Sequence, residues 1–271
     1  MRNSHKIIRI SVICPVFNSS IFIKKTLNCL LNQLERPYEV IFCDDGSIDN
    51  SYDIILSYKI KFEKLKIKFL LIKTRHRGVS FARNLCIKRS TAEWISFLDS
   101  DDLWKKNKLK VIIDNIKSNP KKNFFIHWEY KKNTNGSLCS LKHANFLTNS
   151  ENLTKELYKR NFFSTSAVTC KKKIIKKVSY FDEALTSTQD YDLWLKMSPF
   201  IKLQVIKIFL GYYIDRKDNI SSNFYFKKCL FLLKIAFRYR VHVNYKIFIL
   251  KIIKIFFSLN WFRFYFFKKY L

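Results

Sequence analysis

The sequence predicts an α/β protein built on a mostly parallel sheet, and two observations carry that expectation. Between Ile8 and about Tyr130, short β-rich runs alternate with helical patterns, the order that yields βαβ units. The polar clusters of this stretch stand directly after the β-rich runs, where open α/β sheets bind their ligands. The 271 residues suffice for one large domain with an appendage, and a 48% apolar share with 17% aromatics supplies a core and excludes global disorder.

The first strand is expected from Ile10 to Val16, with Phe17 and Asn18 at its end. Ile23, Leu27, Leu30, Leu31 and Leu34 then recur at helical spacing behind Ser19 and Ser20, hydroxyl residues suited to capping a first turn. Further strands are expected at Glu39 to Cys43, Ile67 to Lys73, Trp94 to Leu98 and Phe124 to Trp128. Asp44 and Asp45 follow the second, Arg75 to Arg77 the third, and Asp99, Asp101 and Asp102 the fourth. These strand ends converge on one crevice, and a helix is expected from Leu103 to Ile116.

From Lys131 to Ser166 the sequence turns polar and Asn-rich, with a helical stretch near Glu151 to Arg160. Phe181 to Pro199 regains an acidic, aromatic character and is where acceptor contacts are expected. Beyond Ser222 acidic residues vanish, so the chain divides near 220 into a domain of residues 1–220 and a basic, aromatic-rich tail of residues 221–271.

A formal charge of +30 is tolerated best against anionic surfaces, which makes nucleic acid and the anionic membrane face the partner classes to weigh. Lys, Ile, Phe and Asn dominate together, as coding bias alone would also produce. The seven cysteines are scattered, with no CxxC pair and no zinc-type Cys/His spacing, and read as the reduced thiols of a cytosolic protein. The stretch from Met1 to Arg9 lacks a cleavage site and is not expected to be a secretory signal, and no uncharged apolar run nears the ~20 residues of a membrane span.

The strand Trp94 to Leu98 stops at three carboxylates, a costly crowding unless a hard divalent cation sits among them and bridges to substrate phosphates. The alternative is an acidic loop at the N-terminus of the following helix. Asp44-Asp45-Gly46-Ser47 also follows a strand, as an ordinary turn or as a nucleobase or ribose contact. Asp190 and Asp192 open a helix through Leu193, Trp194, Leu195 and Met197, and His127 and His143, without partners at ligand spacing, read as structural.

Five stretches, Ile10 to Asn18, Cys43 to Asp49, Gly78 to Asn84, Phe97 to Asp102 and Gln189 to Trp194, resemble the ordered signature of family 2 glycosyltransferases with the GT-A fold, over roughly residues 8–215. The resemblance implies an α/β GT-A nucleotide-sugar-binding fold with a mixed, mainly parallel sheet, of the bacterial cell-surface polysaccharide type. It implies that Pro15, Val16, Phe17, Asn18, Asp44 and Asp45 lie against the nucleotide, with Asp45 near the base. Arg83 would shape the nucleotide side, Asp99 would face ribose or metal, and Asp101 would be the chief ligand of Mg2+ or Mn2+. Asp190 would be the general base in a single inverting displacement from a UDP-linked donor to a glycan or lipid-linked acceptor. Two departures stand out: Gln189 replaces the usual Glu before Asp190, and His76 and Arg77 add positive charge where Asn and a small or polar residue are common.

In Phe226 to Arg240 and Tyr245 to Leu259, helical projection gathers Lys227, Lys228, Lys234 and Arg238, then Lys246, Lys251 and Lys254, opposite Leu, Ile and Phe. Such helices lie on anionic bilayers, and with the aromatic run Trp261 to Leu271 they predict a peripheral protein on the inner face of the cytoplasmic membrane. Helices packed on the catalytic domain are the competing expectation. A nucleic-acid-binding protein finds no support in any readable module, and a nucleotidyltransferase would share the metal carboxylates without needing Asp190.

Overall fold

The computed structural model describes residues 7–147, 152–215 and 225–257. The expected boundary near 220, the N-terminal stretch Met1 to Lys6 and the run Trp261 to Leu271 lie outside the described residues.

Chain order is β1 (Ile10–Val16), α1 (Ser20–Leu31), β2 (Glu39–Asp44), α2 (Ser51–Ser57), α3 (Lys59–Lys64), β3 (Lys68–Lys73), α4 (Val79–Arg89) and β4 (Trp94–Phe97). There follow β5 (Leu103–Trp104), α5 (Lys108–Ser118), β6 (Phe124–Lys132), β7 (Leu138–Leu141), α6 (Leu153–Lys159), β8 (Val168–Lys171) and α7 (Lys172–Lys177). The chain then forms α8 (Gln189–Met197), β9 (Leu203–Ile214), α9 (Tyr225–Arg238) and α10 (Tyr245–Phe256).

Among the described residues nine strands form one sheet in the order β3-β2-β1-β4-β8-β6-β9-β5, with β7 paired to β6. It is mixed and mainly parallel: β3, β2, β1 and β4 run parallel, as do β6 and β9, and short antiparallel pairings join β8 and the edges. β1, β2 and β4 are buried along their whole length, which is why they read as continuous apolar runs. The sheet separates two cores. One gathers α1, α5 and the sheet face bearing Val12, Phe42 and Trp94; the other gathers α4, α6, α8 and the face bearing Ile13, Phe97 and Phe124. Trp194 is fully buried in the second, edge-on to Phe97 and Phe124, so it packs rather than meeting an acceptor, and truncation to Ala would cost about 3–5 kcal/mol.

Three expectations are corrected. The Ser19 and Ser20 hydroxyls do not cap α1; Asp49 Oδ2 accepts from Ser20 N at 2.9 Å, and Ser51 Oγ from Ser19 N at 2.8 Å, so the cap comes from the next βα unit. The helix expected from Leu103 begins only at Lys108, because Leu103 and Trp104 pair with Tyr212 and Gly211 of β9. The acidic cluster therefore does not cap that helix. Finally, the basic stripe of the tail is broken: Lys251 is buried and donates to Tyr158 O and Tyr191 Oη, both at 2.6 Å, while Arg238 is ion-paired to Asp182 and Asp192.

Both tail helices pack on the second core through Ile235, Ala236, Tyr239 and Ile255. Their outer faces expose Leu230, Phe237, Leu250, Ile253 and Phe256, interspersed with exposed Lys234, Lys246 and Lys254. Among the described residues no helix is long and apolar enough to cross a membrane.

Candidate active site

The site is assembled from the carboxyl ends of β1, β2, β3 and β4 and from the N-terminal turns of α4 and α8. Pro15 and Val16 are buried within β1, so only the residues after them reach the crevice. Phe17 is exposed and stacks on the His76 ring at 4.2 Å. Asn18 takes a positive φ of 45° and links the β1 and β2 loops: its N–H donates to Ser47 Oγ at 2.9 Å and its Oδ1 accepts from Ile48 N at 3.0 Å.

Asp44 is wholly buried and its Oδ1 accepts from Ser47 N at 2.7 Å, which shapes the turn. Asp45 clamps the loop after β3: Oδ1 accepts from Arg77 N at 2.9 Å, Oδ2 from Gly78 N at 2.7 Å, and His76 Nδ1 lies 2.9 Å from Oδ2. Gly46 allows this approach, with φ at +77° and His76 N only 2.6 Å from where a Cβ would stand. His76 and Arg77, the departures in sequence, thus belong to the loop that Asp45 holds.

The acidic cluster divides by burial. Asp102 turns inward, its Oδ2 accepting from Ser166 Oγ at 2.6 Å and its Oδ1 from Ile214 N at 3.0 Å. Burial first, then the charges of Asp101 and Asp99, push its carboxyl well above the usual range. Asp102 therefore braces the loop and is not available to a cation, a correction to its place among the expected carboxylates. Ser100 is held to α1, its Oγ 2.7 Å from Ser19 Oγ and its carbonyl accepting from Thr26 Oγ1 at 2.9 Å.

Asp99 and Asp101 stay partly exposed, and the charges of both bear on Asp102, Cys14 and Tyr213. Two partly exposed carboxylates two residues apart after one strand are the donor type for Mg2+ or Mn2+, which take one or two carboxylates and complete their shell with phosphate oxygens. Among the described residues no group of three or more His, Cys, Asp or Glu could hold a metal by itself.

Arg83, nearly buried on α4, donates from Nη2 to Asp99 Oδ1 at 2.6 Å and lies over the Phe181 ring at 5.5 Å. Asp190, in the first turn of α8, accepts from Asn161 Nδ2 at 3.0 Å. Burial raises its carboxyl above the ordinary range, Arg83 opposes that rise, and Asp99 adds to it. Asp99 thus supplies a negative neighbour even though Gln189 does not. Asp192 is buried and ion-paired, which removes it as a base. His127 Nδ1 donates to Trp128 O at 2.9 Å and His143 Nε2 sits 3.1 Å from Glu129 Oε2, so both histidines are structural.

The sequence reading missed Asn161 and Ser166. Ser166 touches Asp102 and also accepts from Asp99 N at 3.1 Å. Both lie in the polar stretch between the motifs, 29 and 67 residues from partners they meet only in three dimensions, and no local pattern marks them. A concavity of about 660 Å³ lies apart from these carboxylates, between α1 and β5, lined by Lys25, Asn28, Trp104 and Tyr212 among others.

A glycosyltransferase fold with a strand-end carboxylate pair is the class defined by these features. The chain belongs to glycosyl transferase family 2, whose model matches residues 11–180. Two curated relatives show its neighbourhood. The amylovoran biosynthesis glycosyltransferase AmsB of Erwinia amylovora is 30% identical over 195 residues, covering 70% of this chain and 64% of AmsB. WfgD of Escherichia coli, a UDP-Glc:alpha-D-GlcNAc-diphosphoundecaprenol beta-1,3-glucosyltransferase, is 28% identical over 216 residues, covering 79% of this chain and 80% of WfgD. The GT-A architecture is shared with solved glycosyltransferases at identities where the likeness is one of fold. S. aureus TarS 1–349 in complex with UDP-GlcNAc aligns at TM-score 0.67 and 20% identity, covering 93% of this chain and 73% of that one. The mannosyltransferase PcManGT of Pyrobaculum calidifontis, in complex with GDP-Man and Mn2+, aligns at TM-score 0.67 and 15% identity, covering 92% and 70%.

Proposed function

We propose that the protein is an inverting glycosyltransferase that moves a sugar from a UDP-linked donor to a hydroxyl of a lipid-linked, lipopolysaccharide-type or capsule-type glycan. The observation that carries this reading is the Arg83–Asp99 contact of 2.6 Å with Asp190 in the field of both residues. Family membership and the polysaccharide and lipid-diphosphate chemistry named for AmsB and WfgD support it.

Asp190 takes the proton of the acceptor hydroxyl as that oxygen bonds to the anomeric carbon. The bond from that carbon to the diphosphate oxygen breaks, and its electron pair leaves with the nucleoside diphosphate. Attack from the face opposite the leaving group inverts the anomeric configuration. Asn161 orients Asp190, and burial, which raises its carboxyl, makes the carboxylate a stronger base than an exposed aspartate. Asp99 and Asp101 would hold Mg2+ or Mn2+, which when bound neutralises charge on the departing diphosphate.

Phe17 and His76 offer a stacked aromatic wall to the nucleotide, and Asn18, Asp45 and Arg83 line the same side. Asp44, Pro15 and Val16 act by shaping the strand ends. The exposed apolar and lysine-bearing faces of α9 and α10 meet an anionic bilayer at the inner face of the cytoplasmic membrane, each surface lysine adding about 1 kcal/mol. The test is the proton NMR of the anomeric centre in the product: an α-linked donor should give a β linkage, and an α product overturns the single-displacement mechanism.

A further inference from the structure

Asp190 is followed immediately by two buried polar residues, Tyr191 and Asp192, and the C-terminal helices contribute a hydrogen-bond partner to each. Asp192 Oδ1 accepts from Arg238 Nη1 at 2.6 Å and from Tyr239 Oη at 2.9 Å, and Lys196 Nζ lies 3.2 Å from its Oδ2. The other arm of Arg238 donates from Nη2 to Asp182 Oδ2 at 2.9 Å. Tyr191 Oη lies 2.8 Å from the carbonyls of Leu157 and Tyr158 and accepts from Lys251 Nζ at 2.6 Å. α9 and α10 therefore grip the first turn of α8 at the two positions after Asp190.

Asp182 extends the grip into the crevice. Its neighbour Phe181 lies under the Arg83 guanidinium, and Glu183 accepts from Asn84 Nδ2 at 2.9 Å and pairs with Arg77 at 3.5 Å. Arg238 thus ties two segments that flank the reacting centre, α8 on one side and the Phe181–Glu183 turn on the other. The guanidinium suits this task because its rigid fork satisfies two carboxylates at once, where an ammonium would act as a single point charge.

The electrostatics make the contact consequential. Asp192 is fully buried, so removing Arg238 leaves a buried carboxylate with less compensation, and the turn must shift or the charge must be neutralised. Asp190 shares that turn and has one side-chain bond of its own, to Asn161. A displacement of α8 by about 1 Å would misalign the base at a cost near 10²-fold in rate.

We propose that Arg238 is a positioning residue for Asp190, acting through the Asp192 carboxylate, so that the C-terminal helices complete the catalytic centre. The inference rests on the reading of Asp190 as base. It goes beyond the membrane role of the same helices, whose outer faces point away from this contact.

The experiment uses the full chain, with UDP-glucose and UDP-N-acetylglucosamine as donors and Mn2+ present, and reads kcat and donor KM for Arg238→Ala, Arg238→Lys, Asp192→Asn and the Arg238→Ala/Asp192→Asn double variant. Arg238→Ala should lower kcat about 10²-fold with donor KM unchanged, Arg238→Lys should restore part of it, and the double variant should lose no more than the worse single variant. An unchanged kcat in Arg238→Ala, a donor KM that rises in step, or losses that multiply in the double variant each overturn the proposal. If Arg238→Ala does not fold, Tyr239→Phe, which removes only the hydroxyl on Asp192, takes its place under the same criteria. Asp190→Asn in parallel separates the two readings: if it keeps turnover, the base assignment fails, whereas if it is inactive while Arg238→Ala is unimpaired, the positioning role alone fails.

Discussion

Arg83 Nη2 lies 2.6 Å from Asp99 Oδ1, and the same guanidinium holds down the carboxyl of Asp190, which burial would otherwise raise further. One cation thus bears on a carboxylate of the expected metal side and on the candidate base, placing both edges of the crevice under a single control.

Asp190→Asn should keep nucleotide binding and lower transfer by about 10²- to 10⁴-fold, the usual share of general-base catalysis. The base must be deprotonated, and its carboxyl is raised. Wild-type kcat should therefore fall on the acid side at a pH above the ordinary aspartate value of about 3.9. Steady-state rates across pH check this, and an acid limb at or below that value contradicts it.

Asp101→Ala should abolish the metal-dependent part of UDP binding, whereas Asp102→Asn should leave it in place because that side chain is turned into the protein. Titration calorimetry with UDP, with and without Mn2+, separates the two. Equal losses in both variants would return Asp102 to the metal site.

Much of this was legible beforehand. β1, β2 and β4 announced themselves as apolar runs, and the five motifs carried the family, because such segments bind ligands through local chain. What the sequence hid is long-range: Asn161 on Asp190, Ser166 on Asp102, and Arg238 on Asp192, the last pair 46 residues apart. Helical projection put Arg238 and Lys251 on an outward basic stripe because it registers angle but not the carboxylates and carbonyls that neighbouring segments supply. The N-cap of α1 was misread for a related reason, since Asp49 sits one βα unit away.

His127 should make folding stability acid-sensitive. Burial holds its ring down to about 4, against an ordinary 6.5, so between those values the unfolded chain binds the extra proton. Stability should rise with pH through this window and be complete above 6.5, the difference amounting to about 3 kcal/mol. Urea denaturation of wild type and His127→Asn at several pH values tests it; an identical slope in both would contradict the assignment.

Truncation after Ser222 separates the two expectations for the tail, membrane-lying helices or helices packed on the domain. Removing α9 and α10 uncovers the second core around Tyr158 and Tyr191 and should give aggregation. Lys234→Glu/Lys246→Glu/Lys254→Glu in the full chain should instead weaken co-sedimentation with anionic vesicles, most strongly at low salt, and spare UDP binding. Unchanged sedimentation of that variant would remove the lysine face from membrane binding.

The most direct test measures UDP release from a panel of radiolabelled UDP-sugars by wild type and Asp190→Asn, with and without Mn2+. The account predicts metal-dependent release of UDP and free or transferred sugar from at least one donor, reduced about 10²-fold or more in the variant. Release of pyrophosphate in place of UDP, or equal turnover by wild type and Asp190→Asn, would contradict it.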